Sequence, residues 1–221
     1  MTNQERQESK AEETAEKETG RLEAFSDGVF SIAMTLLVLE LKVPSLGAAP
    51  TAAALWRALA QQWPSYLAFV TSFFTVLIMW VNHHGIFRLV RRADSVLLFA
   101  NGYLLLLVTA VPFPTALVAA YLRTPAASAA CAVYAGTFVL TSIAYGLLLA
   151  AVRRDGGRLL SPGACAEIDR RMWDCFAVGC PLYLLAAVAA LVLPLVSLVI
   201  CSGLWAYWSF ERREGMICGG E

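Results

Sequence analysis

A run of 35 residues, from Phe176 to Phe210, contains no charged side chain. A soluble domain of ordinary composition is about one-quarter charged, so a run of this length is unusual in such a domain. In this chain 58% of the 221 residues are hydrophobic and only 15% are charged. A helix needs about 20 consecutive apolar residues to cross a bilayer. The sequence therefore predicts an all-α fold, a polytopic transmembrane helix bundle.

The apolar runs leave room for six spans between residues 21 and 211. The first four cover residues 22–43, 60–87, 94–120 and 128–152, with a loop over 45–54. The run 176–210 is too long for one span and barely long enough for two. We interpret it as a hairpin that turns near Val192–Ser197, around Pro194. One long tilted helix is the alternative and would give five spans.

Charged side chains are concentrated at the ends of these runs. Residues 1–23 hold 11 of the 34 charged residues. We therefore expect a polar tail at 1–20, a six-helix transmembrane domain at 21–211 and a short C-terminal segment at 212–221. With six spans and a cytoplasmic N-terminus, 14 of the 17 Lys and Arg residues lie on the cytoplasmic side, including Arg212 and Arg213. This bias predicts that both termini are cytoplasmic.

The first apolar run contains carboxylates that are unusual for a membrane span. Only 12 residues separate Asp27 from Glu40, which is roughly 20 Å of helix and less than the hydrocarbon thickness of a bilayer. An ionised carboxylate that faces lipid at that depth is costly. We therefore infer that this helix is shielded from lipid and lines a hydrated path.

The helical phase of this run separates its side chains. At about 100° per residue, one side carries Phe25, Gly28, Ile32, Thr35, Leu36, Leu39 and Val43, and Asp27 projects elsewhere. Ile32, Leu36 and Leu39 form an apolar stripe with the spacing i, i+4, i+7. Such a stripe fits either packing against another helix or, with one copy per subunit, apolar rings that line a pore.

Asp27 needs a partner inside the protein if it lies in the membrane. Arg21 is six residues away, which is about 600° around the helix, so the two side chains do not share a face. Polar partners are available in the second run, at Trp80, Asn82, His83 and His84. We expect no metal there, because adjacent histidines on a helix point about 100° apart and neither has a Cys or carboxylate at i+4.

The string Arg21-x-x-x-Phe25-Ser26-Asp27-Gly28 leads directly into an apolar helix. It resembles the signature of the transmembrane protein 175 family of potassium channels. The segment Val29–Pro44 is similar to prokaryotic members, and the Trp80-x-Asn82-His83 segment and the six-span plan also agree. The specific part of the resemblance covers residues 21–44 and 80–84.

The resemblance implies a homotetrameric K⁺ channel in the inner (plasma) membrane of a prokaryote, with the first helix lining a central pore and no TVGYG filter. It places the apolar constriction at Ile32, Leu36 and Leu39, and a contribution to K⁺ selectivity at Thr35. The signature residues that hold the first helix correspond to Arg21, Phe25, Ser26 and Asp27. Their partners on the second helix correspond to Trp80 and His83, with His84 as the alternative in that register.

Two other functional classes would require sequence features that this chain lacks. A proton-coupled secondary transporter could use Asp27 and His83 as a relay, but it would predict an inverted internal repeat, which the sequence does not have. A membrane-embedded enzyme would need a nucleophile or metal motif such as GxSxG or HExxH, and neither occurs. We therefore expect no enzyme and no cofactor. A net charge of zero gives no electrostatic case for nucleic acid, so the expected partners are K⁺, the lipid bilayer and further copies of the chain.

Overall fold

The computed structural model describes the backbone of residues 3–47 and 51–217, and the side chains of that part except at 3–5, 8–16, 205–206 and 209–217. The Arg212 and Arg213 side chains, and residues 218–221 of the predicted C-terminal segment, therefore lie outside the described part of the chain.

Helices account for nearly all of the described chain, and no named strand is found within it. They are α1 Asn3–Leu36, α2 Ala52–Gln61, α3 Trp63–Phe87, α4 Ser95–Ala110, α5 Pro112–Tyr121, α6 Ala127–Gly157, α7 Cys165–Asp174, α8 Cys180–Ala190 and α9 Pro194–Ile217. A 3₁₀ turn, Leu37–Glu40, continues α1, and a π-helical turn, Cys175–Gly179, joins α7 to α8. The predicted all-α class is confirmed.

Five stretches of the described chain are long and apolar enough to cross a membrane. They are Lys17–Glu40, Trp63–Phe87, Ser95–Tyr121, Ala127–Gly157 and Cys165–Ala190, and α9 adds a shorter apolar stretch, Pro194–Leu204. The last run forms two helices, as expected, with the turn at Leu191–Leu193 and Pro194 as the first residue of α9. The chain is therefore a multi-pass membrane protein.

The fifth span begins earlier than the sequence predicted. Residues 153–171 lie between the predicted fourth span and the run 176–210 and are rich in charge, which favours a polar connection, but α7 starts within them, at Cys165. Charged residues are tolerated here because they pair with each other along the helix: Glu167 accepts hydrogen bonds from Arg170 and Arg171. Such i, i+3 and i, i+4 pairs stabilise a helix whose exposed side is polar.

Prolines mark the starts of helices in this fold. Pro64 falls inside the predicted second span, 60–87, but it lies in the first turn of α3, where its missing N–H breaks no helical hydrogen bond. The residues before it form α2, which was missed as a separate helix and whose N-cap is the Thr51 hydroxyl. Pro112 similarly opens α5, directly after Val111, the single residue between α4 and α5.

Helix α6 is the centre of the bundle and packs against α4, α5, α7, α8 and α9. Its Tyr134, Phe138 and Leu148 side chains are almost fully buried. The hydroxyl of Ser72 on α3 lies 2.7 Å from Thr115 Oγ1 and 3.1 Å from Tyr134 Oη. Helix α1 lies at the side of this bundle, against α3 and α4.

An arginine-rich end of the bundle is held together by Asp94, the N-cap of α4. Its Oδ1 accepts a hydrogen bond from the Leu97 backbone N–H, and its Oδ2 lies 2.6 Å from an Arg154 nitrogen and 3.1 Å from an Arg158 nitrogen. The Leu97 hydrogen bond, assisted by the two arginines, lowers the pKa of the Asp94 carboxyl. This stabilisation is therefore complete at neutral pH and is lost as the pH falls through the lowered pKa.

We expect Asp94→Ala to reduce the stability of the full-length protein by about 1 kcal/mol, because the N-cap acceptor is lost. Asp94→Asn retains a cap acceptor and loses only exposed ion pairs, which contribute little. The melting temperature in detergent should therefore fall more for Asp94→Ala than for Asp94→Asn. Equal melting temperatures for the two variants would contradict the capping role.

Candidate functional site

Helix α1 has one face that is completely buried in the bundle. Ser26, Phe30, Ala33 and Leu37 are each no more than 1% exposed. Their spacing of four, three and four residues is that of a single helix face. This face packs against α3 and α4, and it fixes the rotation of α1 about its own axis.

The opposite face of α1 is exposed. It contains six of the residues that the helical phase placed together, Phe25, Gly28, Ile32, Thr35, Leu36 and Leu39; Val43 is exposed as well but lies beyond the end of the helix. Ile32 is 59% exposed and Leu39 is 65% exposed, although both lie in a membrane-crossing stretch. We call Phe25, Gly28, Ile32, Thr35, Leu36 and Leu39 the outer face of α1. Nothing in the described part of the chain covers it.

The end of α1 departs from ideal α-helical geometry. Residues Leu37–Glu40 form a 3₁₀ turn, in which side chains at i and i+3 are eclipsed. In an α-helix the same pair would be about 60° apart. Leu36 and Leu39 are three residues apart, so the tighter turn brings them closer to one line along the outer face.

Two side chains on α3 hold one edge of α1. The Trp80 indole Nε1–H donates to Asp27 Oδ1 over 2.8 Å, and His84 Nδ1 lies 2.8 Å from Glu23 Oε1. Trp80 and His84 stack on each other with ring centroids 6.0 Å apart. The partner of Asp27 therefore comes from another helix. Glu23, one helical turn before Asp27, is likewise bound to α3.

A second, deeper connection joins α1, α4 and α3 through Asn101. Its amide Nδ2 donates to Ser26 Oγ over 2.9 Å, and its Oδ1 lies 2.8 Å from His83 Nε2. The Ser26 hydroxyl donates in turn to the Leu22 carbonyl. Because the Asn101 oxygen can only accept, His83 must carry its proton on Nε2. Ser26, His83 and Asn101 are all at most 1% exposed.

The His83 ring is packed as part of the core. It stacks on Phe87 with centroids 4.3 Å apart, and Phe30 of α1 lies 5.3 Å away on a tilted plane. Its Nδ1 has no hydrogen-bond partner among the described residues. Asp27 and His83 consequently belong to two separate hydrogen-bonded groups, one through Trp80 and one through Asn101.

The predicted signature residues divide into two sets. Ser26 and Asp27 bond to neighbours within the chain, whereas Arg21 and Phe25 are exposed, Phe25 by 63%. No hydrogen bond or ion pair of Arg21 is found with any described residue. Asn101 was missed, although a single amide in the apolar run 95–111 is a usable signal, because an unpaired amide in a membrane is costly.

We expect Asn101→Leu to reduce stability by about 2 kcal/mol, because it leaves buried His83 and Ser26 groups without partners. Thr109→Val on the same helix is the matched control, since the exposed Thr109 hydroxyl bonds only to the Leu106 carbonyl. The measurement is the melting temperature of the full-length protein in detergent. A shift for Asn101→Leu no larger than that for Thr109→Val would show that the connection is unimportant.

Sequence comparison relates this arrangement to known proteins. The profile of the family described as "Endosomal/lysosomal potassium channel TMEM175" matches residues 21–112. A Chamaesiphon minutus protein named a potassium channel is 47% identical over 198 residues, which is 90% of this chain and 97% of that protein. A Streptomyces collinus protein, also named a potassium channel, is 44% identical over 196 residues, covering 88% of this chain and 93% of that protein.

The fold agrees with these matches. The crystal structure described as a lysosomal potassium-selective channel TMEM175 homolog from Chamaesiphon minutus superposes with a TM-score of 0.79 at 45% sequence identity. The match covers 88% of this chain and 98% of that one. These relatives are channels, so the expectation that the chain is not an enzyme is confirmed. On sequence and structure together, the chain belongs to the TMEM175 family of channels.

Proposed function

We propose that this chain is a potassium channel that conducts K⁺ passively through the central pore of a homotetramer, in the inner (plasma) membrane of a prokaryote. The names of the two bacterial relatives, which align over nearly their whole length, support K⁺ as the permeant ion. The observation that carries the pore assignment is the exposed outer face of α1, which lies in a membrane-crossing stretch.

The composition of the outer face favours a pore over a lipid contact. Gly28 and Thr35 are exposed there beside the apolar side chains, and Ser31 is exposed next to them. Asp27 and Glu40 are only half-buried, so a lipid-facing α1 would bring carboxylates close to hydrocarbon. Further copies of the chain around a closed symmetry axis would remove this cost. The number four follows from the family resemblance.

In the tetramer, Ile32, Leu36 and Leu39 would form successive apolar rings that set the pore width. A narrow apolar ring can close a pore by losing its water. The Thr35 hydroxyl donates to the Ile32 carbonyl over 2.8 Å, so its lone pairs remain available to a passing cation. K⁺ would pass more readily than Na⁺ because it is dehydrated at lower cost. These elements would act in place of a TVGYG filter.

The hydrogen-bonded groups at Asp27 and at Ser26 would orient α1 rather than touch the ion. Both lie between helices of one chain, and neither Asp27 nor Ser26 belongs to the outer face. Arg21 and Phe25 are exposed and would meet neighbouring copies. Glu40, half-buried near the far end of α1, would supply negative charge at the outer mouth of the cation pathway, whereas Glu23 contacts His84.

We propose that both termini are cytoplasmic. The links of Asp94 to Arg154 and Arg158, and of Arg153 to Asp169, bring the α3–α4 and α6–α7 connections to one end of the bundle. Positively charged connections stay in the cytoplasm. The alternative, a proton-coupled transporter using Asp27 and His83, has weak support because these two side chains are not connected by hydrogen bonds.

The expected activity is electrogenic K⁺ flux in liposomes that contain the purified full-length protein. With K⁺ inside and an impermeant cation outside, a protonophore should speed up K⁺ efflux by supplying a compensating current. When Na⁺ replaces K⁺ inside the liposomes, Na⁺ efflux into the same impermeant cation should be slower than K⁺ efflux. Absence of K⁺ flux in any gradient would exclude a channel, and K⁺ flux that requires a proton gradient would indicate the transporter.

The pore assignment can be tested by cross-linking in a chain whose six native cysteines are replaced. We expect Ile32→Cys to form disulfide-linked dimers under oxidation, because ring positions in adjacent copies face each other. Ala33→Cys is the matched control: Ala33 is the next residue but is 1% exposed and faces the bundle. Similar cross-linking of both variants, or of neither, would contradict an axial position of the outer face.

A further inference from the structure

Two short connections meet at one end of the helix bundle. Residues 88–94 join α3 to α4, and residues 158–164 join α6 to α7. All four helices belong to membrane-crossing stretches. A chain of seven residues spans at most about 25 Å when it is fully extended, so a connection that leaves the membrane and returns within that length stays near the lipid headgroups. Side chains of both connections are therefore within reach of lipid phosphates.

The two connections are paired through their backbones. The Arg91 N–H donates to the Leu159 carbonyl, and the Ser161 N–H donates to the Leu89 carbonyl, both over 2.8 Å. These hydrogen bonds form a short antiparallel bridge. Val90, in the middle of the bridge, is buried. The bridge thus determines which residues of the α3–α4 connection face the bundle and which face outward.

The residues of this connection that face outward include three arginines. Arg88, Arg91 and Arg92 are exposed, and their side chains make no hydrogen bond or ion pair with any residue that the structure describes. The carboxylates of the same region contact other arginines: Asp94 and Asp155 contact Arg154 and Arg158, Asp169 contacts Arg153, and Glu167 contacts Arg170 and Arg171. Arg88, Arg91 and Arg92 therefore carry positive charge that no described carboxylate balances.

The first turns of α4 provide apolar surface directly after these arginines. Val96, Leu98 and Phe99 are exposed, Phe99 by 81%, and they lie within a membrane-crossing stretch. At 1.5 Å per residue, Phe99 is only about 10 Å along the chain axis from the end of the connection. Positive charge at headgroup level is thus followed by exposed apolar side chains at the depth of acyl chains, which is the order of polar and apolar groups in a phospholipid.

We propose that the α3–α4 connection binds an anionic phospholipid, with the headgroup phosphate at Arg88, Arg91 and Arg92 and an acyl chain against the start of α4. Guanidinium groups bind phosphate oxygens through paired, charge-assisted hydrogen bonds. A zwitterionic lipid brings an ammonium group that arginine repels, so a headgroup with net negative charge is preferred. Anionic lipids give the cytoplasmic leaflet its negative surface potential, which agrees with the orientation proposed above.

The test measures phosphatidylglycerol binding to the purified full-length protein in a neutral detergent, by titration with native mass spectrometry. Phosphatidylcholine with the same acyl chains is the zwitterionic comparison and should bind more weakly. One arginine at a membrane surface changes the affinity for anionic lipid about fivefold, so Arg91→Gln should weaken phosphatidylglycerol binding about fivefold. Replacing Arg88, Arg91 and Arg92 together by Gln should remove the preference and leave phosphatidylcholine binding unchanged.

Two matched variants locate the site. Arg158→Gln changes the charge equally at the same end, but Arg158 is paired with Asp94 and Asp155, so the loss of affinity should be smaller than for Arg91→Gln. Arg123→Gln, just after α5 at the other end of the bundle, should have no effect.

Three results would overturn the proposal: equal losses for Arg91→Gln and Arg158→Gln, a preference for phosphatidylglycerol that survives in the triple variant, or displacement of the lipid by inorganic phosphate at equal concentration. The last would indicate a site for free anions. None of these measurements depends on ion flux, so their outcome is independent of the proposed channel function.

Discussion

The buried amide of Asn101 is the interaction on which the orientation of α1 depends. It is 1% exposed and uses both its oxygen and its nitrogen, toward His83 on α3 and Ser26 on α1. In a low-dielectric interior an amide without partners is strongly unfavourable, so a rotation of α1 that removed Ser26 from Asn101 would be costly. Because Ser26 must face inward, the side chains half a turn away must face outward. The direction of Ile32 and Leu36 is thus a consequence of a hydrogen bond on the other side of the helix.

The separation of α1 into a buried and an exposed face could be predicted from the sequence, because successive residues of a helix are rotated by a fixed angle about its axis. The residues assigned to one side by the 100° phase, from Phe25 to Val43, are all exposed in the structure. Which helix would supply the partner of Ser26 could not be predicted, because Asn101 is 75 residues away and only the packing of α4 brings it close. The 3₁₀ turn at Leu37–Glu40 was also not predictable, since its residues have no local signal such as proline or glycine.

The helix boundaries show a similar difference between local and tertiary information. The turn before Pro194 was predicted within a few residues because proline cannot continue a helix without losing a hydrogen bond. The start of α7 at Cys165 was not predicted, because its charged residues suggested a loop. Their charges are balanced by pairs within α7, such as Glu167 with Arg171, and by Arg153 of α6 with Asp169. Arg21 shows that a motif match does not fix a contact. Its position matches the signature, but its side chain makes no hydrogen bond or ion pair with a described residue of the chain.

Helix α3 lies between α1 and α6 and is bonded to both. One side carries Trp80 and His83, which hold α1 directly and through Asn101. Elsewhere α3 is tied to α6, because Tyr145 Oη donates to the Met79 carbonyl. Displacing α1 alone would break the Trp80 and Asn101 hydrogen bonds, whereas displacing α1 together with α3 and α4 would preserve them. Sliding these helices together against α6 would instead break the Tyr145–Met79 and Ser72–Tyr134 hydrogen bonds, so the direction of the outer face is fixed from both sides of α3.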